Sequence, residues 1–438
     1  MDILSEQLAI SIWRRITFLL LRYYFKPYRN RDTFWIYKFY TNNRISLKNK
    51  MKLKNPYQDK IIINALMRGG IVPDDVHNEL PNWTKVGYIA CFDCLQGRSS
   101  LCDKPPIKKF LQDVANFFGG DVCEHTFGCR GAQFAVMRTI SNWVFENPKY
   151  TNTIIIDPNA HYTTNITAEM AGLKVVEVPH MGYPKYIYNP KDFEQKIKEV
   201  KEKEKRLPAL VFVTHADPYY GNIAPVDEIG NICEEYEIPY AVNVAYTGGV
   251  APIDMRRMKA SFLTLSAHKS MASLGPLGYL VTNNQWSNKV FATSESKSGW
   301  TGKKFGNKIP NIFGCAIGGI PLISSILSFN YVKERTKKWE DELSKINKFV
   351  EDMEVLDGVM LLGEKPKRHH LLHFETERFF EISKTHPKKG FFLAEAMIEK
   401  GIVGLHRGMS KHIKFSIYGL SSEETTKVKE VFYEIAKI

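Results

Sequence analysis

The sequence predicts an α/β protein with a mostly parallel sheet in a large domain, followed by a small α+β C-terminal domain. Between about residues 105 and 265, short apolar runs of strand length alternate with helix-length segments. Consecutive parallel strands need a crossover connection, usually a helix, so this alternation favours a parallel sheet covered on both faces. Near residue 325 the pattern changes to long, charged helical segments. The chain has 438 residues, of which 44% are hydrophobic, and it is therefore long enough for two cores.

The predicted elements of the large domain begin with a helix over residues 105–118. Its apolar residues recur at helical spacing and stop at Gly119 and Gly120, which are typical of a helix end. A second helix is predicted over 131–145. Further along, the predicted strands are 153–156, 174–178, 210–214 and 240–244. A third helix is predicted to end at residue 172, and two more are predicted over 191–206 and 226–236.

The C-terminal part is predicted to combine two helices, over 331–353 and 388–400, with a half-buried strand over 412–418. From these patterns we predict four regions along the chain. They are a basic, aromatic-rich N-terminal extension (1–60), a segment that carries a Cys-x-x-Cys loop (61–105), the large domain (106–325) and the small C-terminal domain (326–438).

The positive charge of the chain is concentrated at its N-terminus. The formal net charge is +13, and residues 1–60 contribute +9 of it. Aromatic residues such as Trp13, Tyr23 and Trp35 are interleaved with the basic ones. Basic side chains neutralise phosphates and exposed rings stack on bases, which predicts a nucleic-acid contact. The alternative interpretation of the same residues, which we weigh equally, is a poorly ordered leader or sequence translated upstream of a true start at Met51.

No segment is predicted to cross a membrane or to direct secretion. The apolar stretch 16–21 is too short to span a bilayer and is bracketed by Arg14, Arg15 and Arg22. No cleavage site of the signal-peptide kind follows it. Seven cysteines in a chain of this length do not suggest a disulfide scaffold, so we expect reduced, functional thiols in a cytoplasmic protein.

Lys269 is the first candidate catalytic residue. It follows the apolar run 261–265 within the string Ser-Ala-His-Lys-Ser-Met-Ala. A lysine in this position, beside small hydroxyl residues and a histidine, is typical of enzymes whose lysine amine forms a Schiff base with pyridoxal 5'-phosphate (PLP). Ser266 and His268 are expected to reach the phosphate of that cofactor. The string is weak evidence alone and depends on further features upstream.

One of those features lies just before the predicted helix over 131–145, and another follows the predicted strand over 153–156. Gly128, Cys129 and Arg130 precede the helix, where free backbone N–H groups bind an anion such as a cofactor phosphate. His161 follows the strand, and ligands bind at the carboxyl ends of strands in such sheets. We expect its ring to stack on the pyridine ring of the cofactor.

Two further features follow the next strands. His215 and Asn222 come after the strand over 210–214 and offer polar groups to the cofactor hydroxyl and the substrate. Asn243 ends the strand before Ala245 and Tyr246, where many PLP enzymes have an aspartate. A neutral amide can hydrogen-bond the ring nitrogen but cannot hold it cationic by charge, which predicts a weaker electron sink.

Cysteines form a second candidate site. Cys91 and Cys94 make a Cys-x-x-Cys pair, which is typical of redox, zinc or iron–sulfur chemistry. Zinc usually needs a second pair, and the sequence shows none. Cys315 follows a glycine and is a third thiol that could approach the pair.

These motifs together resemble the O-phosphoseryl-tRNA:cysteinyl-tRNA synthase family, an archaeal-type family, from about residue 61 to the C-terminus. Cys129 departs from its pattern, because a small non-thiol residue is usual there. The strings that carry the resemblance are 63–70, 91–94, 105–107, 159–162, 220–222, 266–272, 414–420 and the glycine-flanked Cys315.

The resemblance implies a homodimer with the PLP-dependent transferase fold of the aspartate-aminotransferase type (fold type I). It implies conversion of phosphoseryl-tRNA(Cys) to cysteinyl-tRNA(Cys) with an external sulfur donor. The family's cysteines correspond to Cys91, Cys94 and Cys315, which are linked to sulfur transfer through persulfide or disulfide states or to an iron–sulfur cluster. Phosphoseryl-tRNA synthetase is an implied partner.

The departing phosphate requires cationic and N–H partners. Our candidates for this role are Arg68, Arg130 and His161, with Tyr162 and His215 as weaker ones. Two alternatives remain open. One is a PLP-dependent cysteine desulfurase or β-lyase that acts on a free amino acid, and the other is a catalytically idle tRNA-binding scaffold. A selenium-inserting relative is disfavoured because it does not need the cysteine pair.

Overall fold

The structure is a computed structural model that describes residues 57–84, 107–297, 304–310 and 319–437 and the single residues 55, 299 and 302. The predictions for most of the N-terminal extension and for Cys91, Cys94 and Cys315 lie outside the described residues.

A seven-stranded sheet forms the centre of the large α/β layer. Its strands are β2 (Val122–Thr126), β3 (Thr153–Ile156), β4 (Lys174–Glu177), β5 (Leu210–Thr214), β6 (Tyr240–Asn243), β7 (Phe262–Ser266) and β8 (Gly278–Thr282). Their order in the sheet is β2-β8-β7-β6-β5-β3-β4, and the pairs from β7 through to β4 are parallel, while β8 runs antiparallel to both of its neighbours. The predicted mostly parallel sheet is therefore confirmed.

The central strands are buried on both faces because each face carries its own apolar core. Along β5, Val211 and Val213 contribute to one core, whereas Leu210 and Phe212 contribute to the other. This alternation follows from the two-residue period of a strand. A strand with cores on both sides has to be apolar throughout, which explains the continuous run 210–214.

Helices cover the two faces and bring loops to the carboxyl edge of the sheet. The helix predicted over 131–145 begins earlier, at Gly128, so the glycine motif forms its first turn. The helices of this part are α1 (Asp74–Thr84), α2 (Ile107–Phe117), α3 (Gly128–Glu146), α4 (Thr163–Met170), α5 (Pro190–Glu204), α6 (Val226–Glu235), α7 (Ala267–Ser270), α8 (Asn284–Val290) and α9 (Gly319–Thr336).

A second layer follows α9 in the chain. An antiparallel sheet with the order β12-β10-β9 packs with helices around a core that contains Phe349, Phe374 and Phe415. The elements are α10 (Trp339–Glu354), β9 (Val359–Leu361), β10 (Leu372–Thr376), α11 (Glu377–Thr385), α12 (Phe392–Glu399), β11 (Ile402–Val403), β12 (His412–Phe415) and α13 (Ser422–Ile435).

The first described strand joins this second layer. β1 (Ile61–Ile62) pairs in parallel with β11, and Ile63 is fully buried in the same core as Phe415. The predicted boundary near residue 325 falls within α9. Across the described ranges, the structure contains no helix that is both long and apolar enough to cross a bilayer.

Candidate active site

A cavity of about 580 Å³ opens at the carboxyl edge of the large sheet. The carboxyl ends of parallel neighbours converge at one edge, and this is where ligands bind in such folds. The predicted site residues that line the cavity are Gly128, Cys129, Arg130, His161, Tyr162, Asn243, Ser266, His268 and Lys269.

Lys269 lies in the short turn α7, directly after β7. Its ammonium is 4.7 Å from the centroid of the Tyr246 ring. Burial lowers the pKa of Lys269, and the charges of Arg130 and Lys414 lower it further. A lowered pKa increases the fraction of neutral amine, which is the form that attacks a carbonyl carbon.

The turn that carries Lys269 is held by close backbone packing. A Cβ atom at Gly70 would lie 2.0 Å from the carbonyl oxygen of His268, so only glycine fits there. The guanidinium of Arg335 joins the two segments, because it donates to the carbonyl oxygens of Ser270 and Gly69, at 2.5 and 2.9 Å. The lysine is therefore presented from a rigid support.

One end of the cavity is suited to an anion. Helix α3 begins at Gly128, whose φ is +69°, and the preceding Phe127 provides no side-chain cap. The first N–H groups of a helix without a cap remain available to an anion. Ser266 and His268 lie nearby, with the Ser266 hydroxyl 3.3 Å from Nε2 of His268.

Within the first turn of α3, the Cys129 side chain contacts Asn243. The amide oxygen of Asn243 accepts from the N–H of Ala245 at 3.0 Å and lies 3.4 Å from the Cys129 sulfur. Burial raises the pKa of Cys129 to about 11, so this thiol is protonated and can donate. With its oxygen engaged, Asn243 has its amide N–H groups left to offer to a ligand.

His161 is an uncharged ring at neutral pH. Burial, and then the charges of Lys269, Arg130 and Lys414, lower its pKa to about 4. Its Nδ1 lies 2.7 Å from the hydroxyl oxygen of Thr163, which fixes the ring orientation. A neutral imidazole can stack on a heteroaromatic ring, and it is not repelled by the neighbouring cations.

Arg130 and Tyr162 stand at the open side of the cavity. The guanidinium of Arg130 hydrogen-bonds the Tyr162 hydroxyl and lies 5.4 Å from the centroid of its ring. Tyr162 is 49% exposed, so the pair can meet a group that enters from solvent.

Arg68, His215 and Asn222 lie outside the lining of this cavity. Arg68 donates to the carbonyl oxygens of Tyr418 and Ile62. Burial lowers the pKa of His215 to about 3, and its Nδ1 lies 2.9 Å from the Thr247 hydroxyl. Both ends of the Asn222 amide are engaged, with the carbonyl of Lys185 and the N–H of Glu364. Their predicted roles at the site remain predictions.

Lys414 is a cation near the site whose role there no sequence motif indicates. It lies on β12 of the second layer, donates to the carbonyl oxygen of Pro218 at 2.9 Å, and lowers the pKa of both His161 and Lys269. In the sequence, the string 414–420 that contains Lys414 contributed only to the family resemblance. No local pattern indicates that the charge of this residue from the second layer acts on His161 and Lys269.

The described cysteines do not form a metal site. Cys123 and Cys233 are buried, and burial raises the pKa of each thiol. Within the described ranges, no group of three or more His, Cys, Asp or Glu residues could hold a metal ion. The iron–sulfur prediction for Cys91, Cys94 and Cys315 remains a prediction.

The cavity fits PLP on the chemistry of its donors. The lining of this one cavity combines a half-buried lysine with a lowered pKa, an uncapped helix start, a neutral imidazole and an amide. The Aminotransferase class-V family matches residues 106–396 of this chain. Fold and site together define a PLP-dependent enzyme of that class.

Individual relatives give a finer assignment. O-phospho-L-seryl-tRNA:Cys-tRNA synthase 2 of Archaeoglobus fulgidus is 40% identical over 392 residues, which are 89% of this chain and 98% of that protein. The O-phospho-L-seryl-tRNA:Cys-tRNA synthase of Methanopyrus kandleri is 36% identical over 377 residues, which are 86% and 94% of the two chains. A crystal structure of a SepCysS–SepCysE N-terminal domain complex has a TM-score of 0.78 at 34% identity, covering 89% of this chain and 98% of that one. The chain therefore belongs to the O-phosphoseryl-tRNA:Cys-tRNA synthase family, as its motifs predicted.

Proposed function

We propose that this protein converts O-phosphoseryl-tRNA(Cys) to cysteinyl-tRNA(Cys) by eliminating phosphate and adding sulfur. The observation that carries the proposal is the position of Lys269 in a 580 Å³ cavity that the uncapped start of α3 also lines. Membership of the synthase family supports the choice of substrate. A cavity of this size accepts a cofactor and an aminoacyl group, so the tRNA body stays outside it.

PLP, when bound, supplies an electron sink for the charge that develops at the substrate Cα. Lys269 would hold its aldehyde carbon, and the start of α3 with Ser266 and His268 would hold its phosphate. His161 is placed to stack on its ring, and the amide of Asn243 to bind the ring nitrogen.

The lowered pKa of Lys269 also suits it to accept the Cα proton of the substrate. We assign the leaving phosphate to Arg130, assisted by the Tyr162 hydroxyl with which it pairs. Lys414 is an additional cation for the same anion. His161 would contribute an N–H group rather than a full charge, because its pKa is about 4.

We further propose that Cys91, Cys94 and Cys315 relay sulfur to the substrate Cβ, as persulfide or disulfide states or as cluster ligands. Single serine substitutions should sharply reduce cysteine formation with a physiological donor and leave cofactor binding intact. Full activity in all three variants would remove the relay from the mechanism.

The proposed assembly is a homodimer that receives its substrate from phosphoseryl-tRNA synthetase. The basic extension 1–60 is proposed to contact tRNA through its +9 net charge. Removing residues 1–50 should weaken tRNA binding and reduce its salt dependence, because fewer counterions are released. A titration of full-length and truncated protein at two salt concentrations tests this, and equal affinities and slopes would leave the extension without that role.

The decisive experiment supplies purified protein with phosphoseryl-tRNA(Cys) and sulfide and follows cysteinyl-tRNA(Cys). Free phosphoserine and free cysteine serve as competing substrates in parallel reactions. Turnover of the tRNA-bound substrate alone supports the proposal. Turnover of free cysteine to alanine, with none of the tRNA product, would indicate the desulfurase alternative, and no turnover of any substrate would indicate the scaffold.

A further inference from the structure

A row of aromatic rings lies beside the cofactor cavity. The rings of Tyr186, Tyr220 and His373 stack with nearly parallel planes, with centroids 4.0 and 5.4 Å apart and interplanar angles of 3° and 8°. Tyr183 meets the Tyr186 ring edge-on, with 6.4 Å between centroids, and Tyr219 is tilted against Tyr220 at the same distance. We call these five residues the ring platform. Nothing in the proposed reaction uses them.

The two outer rings of the ring platform are open to solvent. Tyr183 is 60% exposed and Tyr219 is 44% exposed. Single exposed apolar residues are ordinary, whereas contiguous exposed rings mark a surface that contacts another molecule. Tyrosine suits such a contact, because it presents a large, flat face and has few side-chain conformations to lose.

The turn that carries Tyr219 and Tyr220 is held by buried charged side chains. The carboxylate of Asp217 accepts from the N–H groups of these two residues, at 2.8 and 2.6 Å. The ammonium of Lys367, which is only 1% exposed, donates to the carbonyl oxygens of Tyr220 and Gly221, at 2.7 and 2.9 Å. The backbone beneath the two rings is therefore fixed before a ligand arrives, which lowers the entropic cost of binding.

The same turn connects the ring platform to the cofactor cavity. It follows β5 at the carboxyl edge of the large sheet, where Ala216 lines the cavity and Tyr219 comes shortly afterwards in the chain. Lys414 donates to the carbonyl oxygen of Pro218 in this turn, at 2.9 Å, and its charge lowers the pKa of Lys269 inside the cavity. The ring platform and the cavity are therefore neighbours.

Two lysines accompany the rings. Lys414 on β12 lies directly opposite His373 on β10, so both side chains occupy the same face of the antiparallel sheet. Lys185 lies between Tyr183 and Tyr186 in the chain and is exposed. Positive charge beside exposed rings suits a ligand that contains both flat aromatic groups and phosphates.

Two carboxylates that contact the ring platform are each offset by another lysine. Glu375 accepts from the Tyr183 hydroxyl, at 2.8 Å, and lies 3.8 Å from the ammonium of Lys411. Asp217 is buried, and the charge of Lys367 lowers its pKa against the larger effect of burial. These two negative charges are therefore offset within the protein.

We propose that the ring platform binds the unpaired 3' end of tRNA, with bases stacked on Tyr183 and Tyr219 and the backbone phosphates attracted by Lys185 and Lys414. This inference rests on the proposed function, in which the aminoacyl group carried by that 3' end enters the cavity. Aromatic side chains beside cations bind single-stranded nucleic acid, because every base has a flat face and every nucleotide has a phosphate. Unpaired ends can splay their bases onto such rings, whereas the bases of a duplex are already stacked on one another.

Titration of the PLP-loaded, full-length protein with non-acylated tRNA(Cys) tests this contact. The tRNA is used intact and after removal of its unpaired 3' nucleotides, and each form is titrated against wild type and Tyr219→Ala. We expect Tyr219→Ala to weaken binding of the intact tRNA by about tenfold and to leave binding of the shortened tRNA unchanged. Tyr219→Phe keeps the ring and should retain the affinity. Phe145→Ala, at a ring on α3 that is 87% exposed and outside the platform, is the matched control and should also retain it.

Three results would overturn the proposal. Equal affinities of wild type and Tyr219→Ala for the intact tRNA would remove this ring from the contact. An equal loss for both forms of the tRNA would assign the ring to a different part of the tRNA. A loss of oligomeric state in Tyr219→Ala, measured by light scattering, would assign the ring platform to a second copy of this chain.

The titration measures binding without turnover, so its outcome is separate from that of the reaction assay. A protein that converts phosphoseryl-tRNA(Cys) but shows no effect of the Tyr219 ring would refute only the ring platform. A protein that shows the effect of the ring but no conversion would refute only the proposed reaction.

Discussion

At the scale of single residues, the chemistry depends on the amine of Lys269. Lys269→Ala should lower formation of cysteinyl-tRNA by about a thousandfold or more, because it removes the group proposed to hold the cofactor and to accept the Cα proton. Borohydride reduction followed by peptide mapping should label wild-type Lys269. Lys289→Ala on α8 is the matched control and should retain activity. A label on a different lysine would contradict the assignment.

Cys129 is predicted to be a passive thiol despite its place in the cavity. Its pKa of about 11 keeps it protonated at neutral pH, and thiolates rather than thiols are the reactive form. Iodoacetamide should leave it unlabelled in the folded protein, and Cys129→Ala should retain more than about half of the sulfide-dependent activity. Loss of activity equal to that of Cys91→Ser would instead make Cys129 part of the sulfur relay.

The strand pattern was sufficient to locate residues at or shortly after the ends of strands, such as His161, Asn243 and Ser266, because the carboxyl ends of parallel strands meet at one edge. The pattern did not predict which of these side chains point into the cavity. His215 directly follows Thr214, and successive side chains of an extended segment point to opposite faces, so Thr214 lines the cavity and His215 does not. The position of Lys414 near His161 and Lys269 depends on how the two layers pack, and no local sequence pattern encodes that packing.

At the scale of elements, the short segment Arg68–Gly70 supports the turn that carries Lys269. Gly70→Ala should destabilise the fold by about 1–3 kcal/mol and weaken PLP binding, because the added Cβ would lie 2.0 Å from the His268 carbonyl oxygen. Denaturant unfolding and the absorbance of bound cofactor measure the two effects. Gly306→Ala, where a Cβ meets nothing within 4 Å, should change neither. Normal cofactor binding by Gly70→Ala would show that the turn can adjust.

The helices and central strands were predictable because their apolar residues recur at clear periods. The predicted helix over 191–206 corresponds to α5, whose Asn189 cap and Asp192 form a capping box. β8 was not predicted. It is the antiparallel strand of the sheet, and it lies outside the strand–helix alternation on which the prediction relied. The pairing of β1 with β11 was equally inaccessible, since it joins segments at opposite ends of the described chain.

At the scale of the whole molecule, buried histidines make the fold sensitive to acid. Burial lowers the pKa of His215 and His370 to about 3 and that of His161 and His373 to about 4, from an ordinary value of 6.5. As pH falls from 6.5 toward 4, the unfolded chain binds protons that the folded chain excludes, so the free energy of unfolding falls. Burial raises the pKa values of Asp157 and Asp217, which acts in the opposite direction, but these are two groups against the four histidines.

We therefore expect the free energy of unfolding to decrease over this range, with each fully buried histidine contributing up to about 1.4 kcal/mol per pH unit. Denaturant unfolding at about pH 7, 6 and 5 checks the slope. His370→Gln should reduce it, because it removes one of the buried rings. A free energy that stays constant over the range would show that these histidines titrate normally in the folded protein.

The pairing of β1 with β11 has a consequence for how this chain is made. Arg68 donates to the carbonyl oxygen of Tyr418, a residue 350 positions later, and the neighbouring Gly70 packs under the Lys269 turn. During synthesis, β1 and Arg68 leave the ribosome long before β11 and Tyr418, to which they bind. Contacts between such distant segments form slowly and leave apolar surface exposed meanwhile. The active site of the nascent chain therefore stays incomplete until the C-terminal layer has emerged, and we expect chaperones that bind exposed apolar surface to be released only after that layer has folded.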